Sequence, residues 1–436
     1  MNEQKQTKRG GSEKGMVLVT VILLLSVVTL LGTVAYLQAS GNLRISGNFR
    51  QAKRALYDAD GGIQYLLQAM EDDIGTTFFL PDPSVAGTVI NLPTYTAPSG
   101  FSFVAPSTMT DRGGNRYRFR ITGQASGNAV SLLEADIQAV KKPVFEFGLF
   151  ADGVVDLKAS SHVYSYNSGD TPDPNPADFP GASTGEGDVG SNTEIRAYMD
   201  TYIDGDTALG TNLAGDDPGD WTVTGVPIVT GEAGVAIERV DPDPLGALTP
   251  GTTLYNQFSA VTTTNDNGLV TQLASSTIID LGNGDTMTLL GKPGGANYYI
   301  TSLILRNGST LVIDATNGPV NVFLSGTLDT EDGDLEAKNG SQINNTALPT
   351  DFNLYSNSSQ PIVLKHGSEF KGMVYAPAAP ISLMNTGDVY GLIWGNTVDV
   401  KNSGEFYFDT AFQTKFPSNK YRLELFAWRD VRATVQ

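Results

Sequence analysis

The densest run of acid side chains, Asp329, Glu331, Asp332, Asp334 and Glu336, is the stretch whose residue types and spacing could do chemistry. Carboxylates converging on one face cleave glycosidic bonds, and oxygen-rich turns built around a glycine hold Ca²⁺. Gly333 interrupts the run, but the full ligand spacing of a Ca²⁺-binding helix–loop–helix is missing. Asp280 and Asp285, flanking Gly282-Asn283-Gly284, form a smaller group of the same kind. In an acidic chain such runs are ordinarily solvated turns, and that is the reading adopted. Ca²⁺ is the one ion that Asp329, Glu331, Asp332 and Asp334 are candidates for. The two histidines, His162 and His366, lie far apart in sequence and read as surface decoration rather than metal ligands. No nucleophile elbow, phosphate loop or Cys/His metal cluster appears. The expectation is a non-enzyme with no resident cofactor.

A different chemistry is written at the amino end. Lys14-Gly15 opens directly onto an uncharged run from Met16 to Leu37, 22 residues long with fourteen Leu, Ile or Val, and no further charge occurs until Arg44. As a helix the run measures about 33 Å, enough to cross a bilayer core. Residues 1–15 carry four basic and two acidic side chains, net +2, so the remainder of the chain carries −19 − 2 = −21. That asymmetry orients a single span with its N-terminus in the cytoplasm. A cleaved secretory signal wants a shorter core with a small-residue site after it, and an uncleaved anchor needs no site at all. A prepilin-type signal is cut before the apolar run, after Gly15. That cut leaves a hydrophobic helix free to pack in a filament.

The residues beyond the span favour the third reading. Phe49, Ala52, Leu56, Ala59, Ile63, Leu66 and Met70 recur at alternating spacings of three and four, one apolar stripe on a helix. The interval from Gln38 to Asn48 contains Gly41 and Gly47. One long helix with a soft joint there is predicted, its second half packed on a globular unit. Gly61-Gly62 weaken such a helix by about 1 kcal/mol each unless close packing requires them.

Residues 9–70 resemble the N-terminal segment of PilX-type minor pilins, within the type IV pilin and type II secretion pseudopilin class. The matching residues are Lys14-Gly15, the run from Met16, Ser46-Gly47-Asn48-Phe49-Arg50, and Ala55-Leu56-Tyr57-Asp58-Ala59-Asp60. The resemblance implies a prepilin peptidase that cuts between Gly15 and Met16 and methylates the new amine. It implies the bacterial inner membrane before assembly, other pilin-like subunits as partners, and a periplasmic or extracellular filament afterwards. Two residues depart from the pattern. Met16 stands where phenylalanine is usual, and Thr20 stands where bulk pilins carry a glutamate that pairs with a neighbour's terminal amine. The K-type secretion pseudopilin also lacks that glutamate and sits at a tip. A minor, initiating or tip subunit is therefore expected.

Composition bounds the rest. Cys is absent, Gly is high at 48, and only 17% of the 436 residues are charged. Stability must come from burial and backbone pairing without disulfides, and such chains are turn-rich β proteins. A head this acidic argues against nucleic acid as a partner.

An internal repeat supplies the architecture. Leu303-Ile-Leu-Arg-Asn-Gly-Ser-Thr-Leu311 aligns without a gap on Ile362-Val-Leu-Lys-His-Gly-Ser-Glu-Phe370. Further copies start at 320, 335, 381 and 398, with earlier ones at 155 and, more weakly, 195. Each reads apolar-x-apolar, a polar corner, then another apolar position. Alternation turns one face of a short strand inward, and the corner supplies a left-handed turn. Stacked coils bury what no single coil could. The predicted fold is mainly β: a long N-terminal helix followed by a parallel β-solenoid, a right-handed β-helix, with a β-sandwich as the structural rival. Phe147-Gly-Leu-Phe-Ala-Asp-Gly153, Ser165-Tyr-Asn-Ser168, Gly372-Met-Val-Tyr-Ala-Pro377 and Gly391-Leu-Ile-Trp394 resemble a solenoid domain of unassigned activity found behind PilX-type N termini.

The predicted organisation is a leader 1–15, a pilin-like helix 16–75 with its span at 16–37, a small α/β or β region 76–142, a solenoid 143–410 with loop insertions, and a segment 411–436 capping the coil's open end. The expected function is assembly initiation, tip display or adhesion in a type IV pilus, with a surface or glycan ligand for the head. A tip-like secretion pseudopilin and a membrane-anchored binding protein outside any filament are the alternatives.

Overall fold

A computed structural model describes residues 13–74, 77–81, 84–170, 181, 183–210, 219–325, 335–384, 387–401 and 403–431. The chain divides into two compact units, one of residues 1–142 with 419–436 and the other of residues 143–418.

The first unit is built on one helix, α1 (Glu13–Asp73), 61 residues long and unbroken through Gly41 and Gly47. The helix runs on through the interval where a soft joint is expected, because the i→i−4 ladder satisfies each backbone group whatever the side chain. Its C-terminal third packs on an antiparallel sheet whose two main strands, Arg116–Ala125 and Ala129–Pro143, pair with Phe119 opposite Ala135. Strict alternation buries Tyr117, Phe119 and Ile121 from one strand, and Leu133, Ala135 and Ile137 from the other. A Cβ on Gly123 would lie 1.9 Å from the Ala55 carbonyl oxygen, so helix and sheet touch backbone to backbone there.

The sheet's outer edge corrects the sequence reading. The alternation of Tyr421, Leu423 and Leu425 marks a strand, but that strand (Pro417–Asp430) does not cap the solenoid. It lies beside Ala129–Pro143 in this sheet, burying Tyr421 and Leu423 with the helix stripe. Arg429 and Arg120 bond Glu134, which is almost fully buried. Burial raises the Glu134 carboxyl, but the hydrogen bonds from Arg120 and Arg429 and the charge of Arg118 outweigh it and hold it below the ordinary glutamate range.

The second unit is a parallel β-solenoid, of 23 strands among the described residues. Each coil has three sides, faces A, B and C. On face A the inward residues stack in register as Ile279, Leu303, Leu335, Ile362, Ile381, Val398, Val155, Ile195 and Trp221. Every repeat start named from the sequence lies in this column except the one at 320. Val320 begins a face C strand (Val320–Leu324), because apolar-x-apolar marks a strand and not the side it occupies. The corner between faces A and B explains the Asn-Gly-Ser pattern. Gly308 and Gly340 sit there at φ 66° and 67°, and the next residue's N–H closes a turn onto the carbonyl three residues back. Ser160, Asp200 and Ser403 adopt the same left-handed conformation at the corresponding corners.

Chain order and stacking order differ, which the sequence reading did not anticipate. Numbered along the axis, coils 1 to 5 and two sides of coil 6 come from residues 278–409, while coils 7 to 9 come from residues 154–237. The chain therefore starts winding in the middle, reaches one end at Ile237, and begins again at the other end with Ile278. Coil 6 is composite: faces A and B come from residues 397–409, and face C is Leu149–Ala151. The backbones at the two ends of the unit meet as well, with the Val144 N–H donating to the Phe416 carbonyl.

Residues 238–277 are the return strap, laid along face C. Val240 bonds Asn192, Trp394 Nε1 donates to the Pro242 carbonyl at 2.8 Å, and Tyr375 donates to Asp243 at 2.6 Å. Helix α2 (Thr253–Val261) then seats Phe258 edge-on against Phe323. Face C is thus covered on both sides, which is why its strands are aromatic as well as alternating.

Candidate functional site

The surface with the most unsatisfied chemistry is the first half of α1. From Leu18 to Leu37 no side chain is buried, and Leu18, Leu25 and Leu30 each expose more than 60% of their surface. The hydroxyls within it are satisfied locally. Ser26, Thr29 and Thr33 donate to the carbonyls of Ile22, Leu25 and Thr29 at 2.7–2.8 Å, so they do not oppose transfer into hydrocarbon. By length and hydropathy this helix is able to cross a membrane.

The predicted packing stripe divides. Ala59, Ile63, Leu66 and Met70 are fully buried against the sheet, and Leu56 is half-buried at its rim. Phe49 and Ala52 are exposed and extend the apolar surface beyond the span. Gly62 has the reason for its presence that the sequence left open: a Cβ there would meet Ile121 at 2.5 Å and Phe103 at 2.9 Å. Gly15 and Met16 fall in the first turn of α1, and Thr20 lies on its exposed stretch.

The other candidates resolve as structure. Asp329, Glu331, Asp332 and Asp334 lie outside the described residues. Glu336 is buried between Lys338 and Lys365, Asp280 pairs with Arg306, and Asp285 accepts the Gly282 N–H. Among the described residues no group of three or more His, Asp or Glu is arranged to hold a metal. His366 occupies a face A–B corner at φ 34°, whereas His162 begins a face B strand and approaches Glu405 at 3.4 Å.

Two ordered arrays escaped the sequence reading. Down face A one outward column holds Asp280, Glu336, Asp399 and Asp156, with Ile304, Val363 and Ser382 at the intervening coils, beside Arg306, Lys338, Lys365, Lys401 and Lys158, and the charges pair within and between coils. Face B carries Tyr390, Tyr407 and Tyr164 on three successive coils, with centroids 4.7 and 5.5 Å apart and rings nearly parallel. Beside them, Glu369, Asp388 and Glu405 occupy one column. Burial, then Glu405 and Glu369, push the Asp388 carboxyl up to about 6. Glu405 itself is held below the usual range by His162, against its own burial, with help from Tyr407. The signal available on face B was a tyrosine at one offset in the copies at 381, 398 and 155, and an acid at another in those at 362, 381 and 398.

Comparison with known proteins agrees with the two-part reading. Residues 14–64 match the family described as PilX N-terminal, and residues 249–415 match a Domain of unknown function (DUF7305). The chain therefore carries a PilX-type N-terminus followed by that domain. The second match runs from the strap through faces A and B of coil 6, so face C of that coil and coils 7 to 9 lie outside it. No curated protein matches the chain. Among solved structures, the competence-associated pilin ComZ from Thermus thermophilus is 12% identical, with TM-score 0.30, over 87% of this chain and 97% of its own. An ice-binding protein from the Antarctic ascomycete Antarctomyces psychrotrophicus is 13% identical, with TM-score 0.27, over 61% and 97%. Another from an Antarctic Biological Consortium is 14% identical, with TM-score 0.31, over 62% and 92%. These likenesses are too distant to transfer a function.

Proposed function

We propose that this PilX-type chain is a minor pilin-like subunit that acts in assembly initiation, tip display or adhesion of a type IV pilus, without catalysing a reaction. The observation that carries the reading is the unburied apolar surface of α1 from Leu18 to Phe49, which ends where the sheet begins. In water such a surface costs about 25 cal/mol per Å², so a bilayer or neighbouring helices must cover it. Prepilin peptidase cuts between Gly15 and Met16, Met16 is N-methylated, and the helix passes from the inner membrane into a filament. With Thr20 in place of a glutamate, the subunit has no carboxylate for the terminal amine of a subunit ahead of it, which suits a tip. The solenoid then meets a surface or glycan outside the cell. The same cleavage in a secretion pseudopilus is the alternative, and an uncleaved anchor outside any filament is the other.

Mass spectrometry of the N-terminal peptide from membrane and sheared-fibre fractions tests this. A peptide beginning at N-methylated Met16, present in fibres, supports the proposal. Residues 1–15 retained on all recovered protein, with none in fibres, would overturn it.

A further inference from the structure

The two ends of the solenoid are finished differently. At coil 1 the free edge of face C is sealed by the chain itself. Asp266 accepts the Asn297 N–H and donates its own N–H to the Asn297 carbonyl, while the Asn267 side chain bonds both the N–H and the carbonyl of Tyr299. Inward residues of this coil, Ile279, Leu289 and Tyr298, are completely buried.

Among the described residues coil 9 has no counterpart. Asp220 and Ile228 donate inward to coil 8, onto Thr193 and Thr201. The alternate residues Trp221, Val223 and Val229 therefore turn their N–H and carbonyl groups away from the stack. Among the described residues these groups have no hydrogen-bond partner on that side. Val223 belongs to the inward column yet is 42% exposed, and Val226 and Ile228 beside it are 80% and 55% exposed. The C-terminal strand, expected to cap the coil's open end, lies in the sheet of the first unit instead.

We propose that the open edge of coil 9 is a strand-addition site for an extended peptide segment of a partner protein, apolar at alternate positions and flanked by lysine or arginine. Backbone pairing supplies the affinity in such sites, and alternate side chains with flanking charge supply the selection. The rim sets the charge: Asp220, Glu232 and Glu238 are exposed around the edge, and Arg239, the one cation on this coil's chain, is committed to Asp152. The same rim disfavours a second copy, whose open edge brings identical acids and whose other end has its face C edge sealed. This inference does not depend on the proposed pilus role, since the edge exists whether or not the helix is processed.

The test uses the full chain in detergent micelles and a fluorescein-labelled short peptide of alternating valine and threonine with lysines at both ends, followed by anisotropy. Saturable binding is expected, weakened at least about tenfold by Val223→Pro and by the paired change Asp220→Lys with Glu232→Lys. The paired variant should prefer a glutamate-flanked peptide. Circular dichroism establishes that each variant is folded, and if Val223→Pro is not, a peptide N-methylated at alternate residues replaces it and must bind about tenfold more weakly. Equal binding of the N-methylated peptide, or no binding of the lysine-flanked one, would overturn the proposal. Self-association of the wild-type chain abolished by the paired lysine variant would also overturn it, by giving the edge to a second copy.

Discussion

Asp388 should make the solenoid less stable as pH rises from 3.8 to about 6. Its side chain faces Glu369 on one neighbouring strand and Glu405 on the other, and its carboxyl is pushed from 3.8 up to about 6, by burial first and then by those two charges. The folded state therefore prefers the protonated acid. This contribution to stability is fully present below pH 3.8 and is lost as pH passes 6. At 1.36 kcal/mol per pKa unit the upper bound is about 3 kcal/mol. The column looks outward and is partly solvated, so screening reduces the usable figure to about 1 kcal/mol. Asp388→Asn removes the charge with little change of shape. Urea unfolding of both proteins between pH 4 and pH 8, followed by circular dichroism, should show near-equal midpoints at the acid end. At pH 8 the variant should be more stable by about 1 kcal/mol, or about 2–4 °C in a thermal scan. Asp188, also pushed up to about 6, is common to both proteins and cancels in the difference. Parallel stability curves across this range would refute the argument, because they would mean that the three carboxylates do not sense one another.

Three other substitutions probe the packing. Gly123→Ala places a methyl 1.9 Å from the Ala55 carbonyl oxygen and should cost at least about 3 kcal/mol, whereas Gly61→Ala meets only the exposed Phe101 ring and should be neutral or gain up to about 1 kcal/mol; thermal melts of the two variants compare them. Tyr375→Phe removes the hydroxyl that donates to Asp243 and accepts the Leu245 N–H, and should loosen the strap by about 1.5–3 kcal/mol, read as faster proteolysis within residues 238–252. Gly308→Ala meets nothing within 4 Å, so any loss reports the left-handed backbone alone, about 1–2 kcal/mol in chemical unfolding.

The extent to which the fold was legible depends on the information a repeat encodes. Residues at 303, 335, 362, 381 and 398 share a spacing-independent signature because each must present the same pair to the same interior column, and the signature found them. It found 155 and 195 for the same reason. It could not say that the coil holding Val155 rests on the coil holding Val398, because identical rungs fit on either neighbour and only the strap's reach decides between them. The alternation in Tyr421 to Leu425 fixes a strand, but its destination depends on Glu134, which waits for Arg429 some three hundred residues later. The α1 stripe was legible down to Ala59 because a sheet must cover it. Phe49 and Ala52 obey the same period but have no sheet to meet.

The composite sixth coil makes the two stretches of the solenoid wait for each other. Its faces A and B come from residues 397–409 and its face C from Leu149–Ala151. It is complete only when segments from opposite ends of the unit's chain have met, a non-local closure of the kind that slows folding.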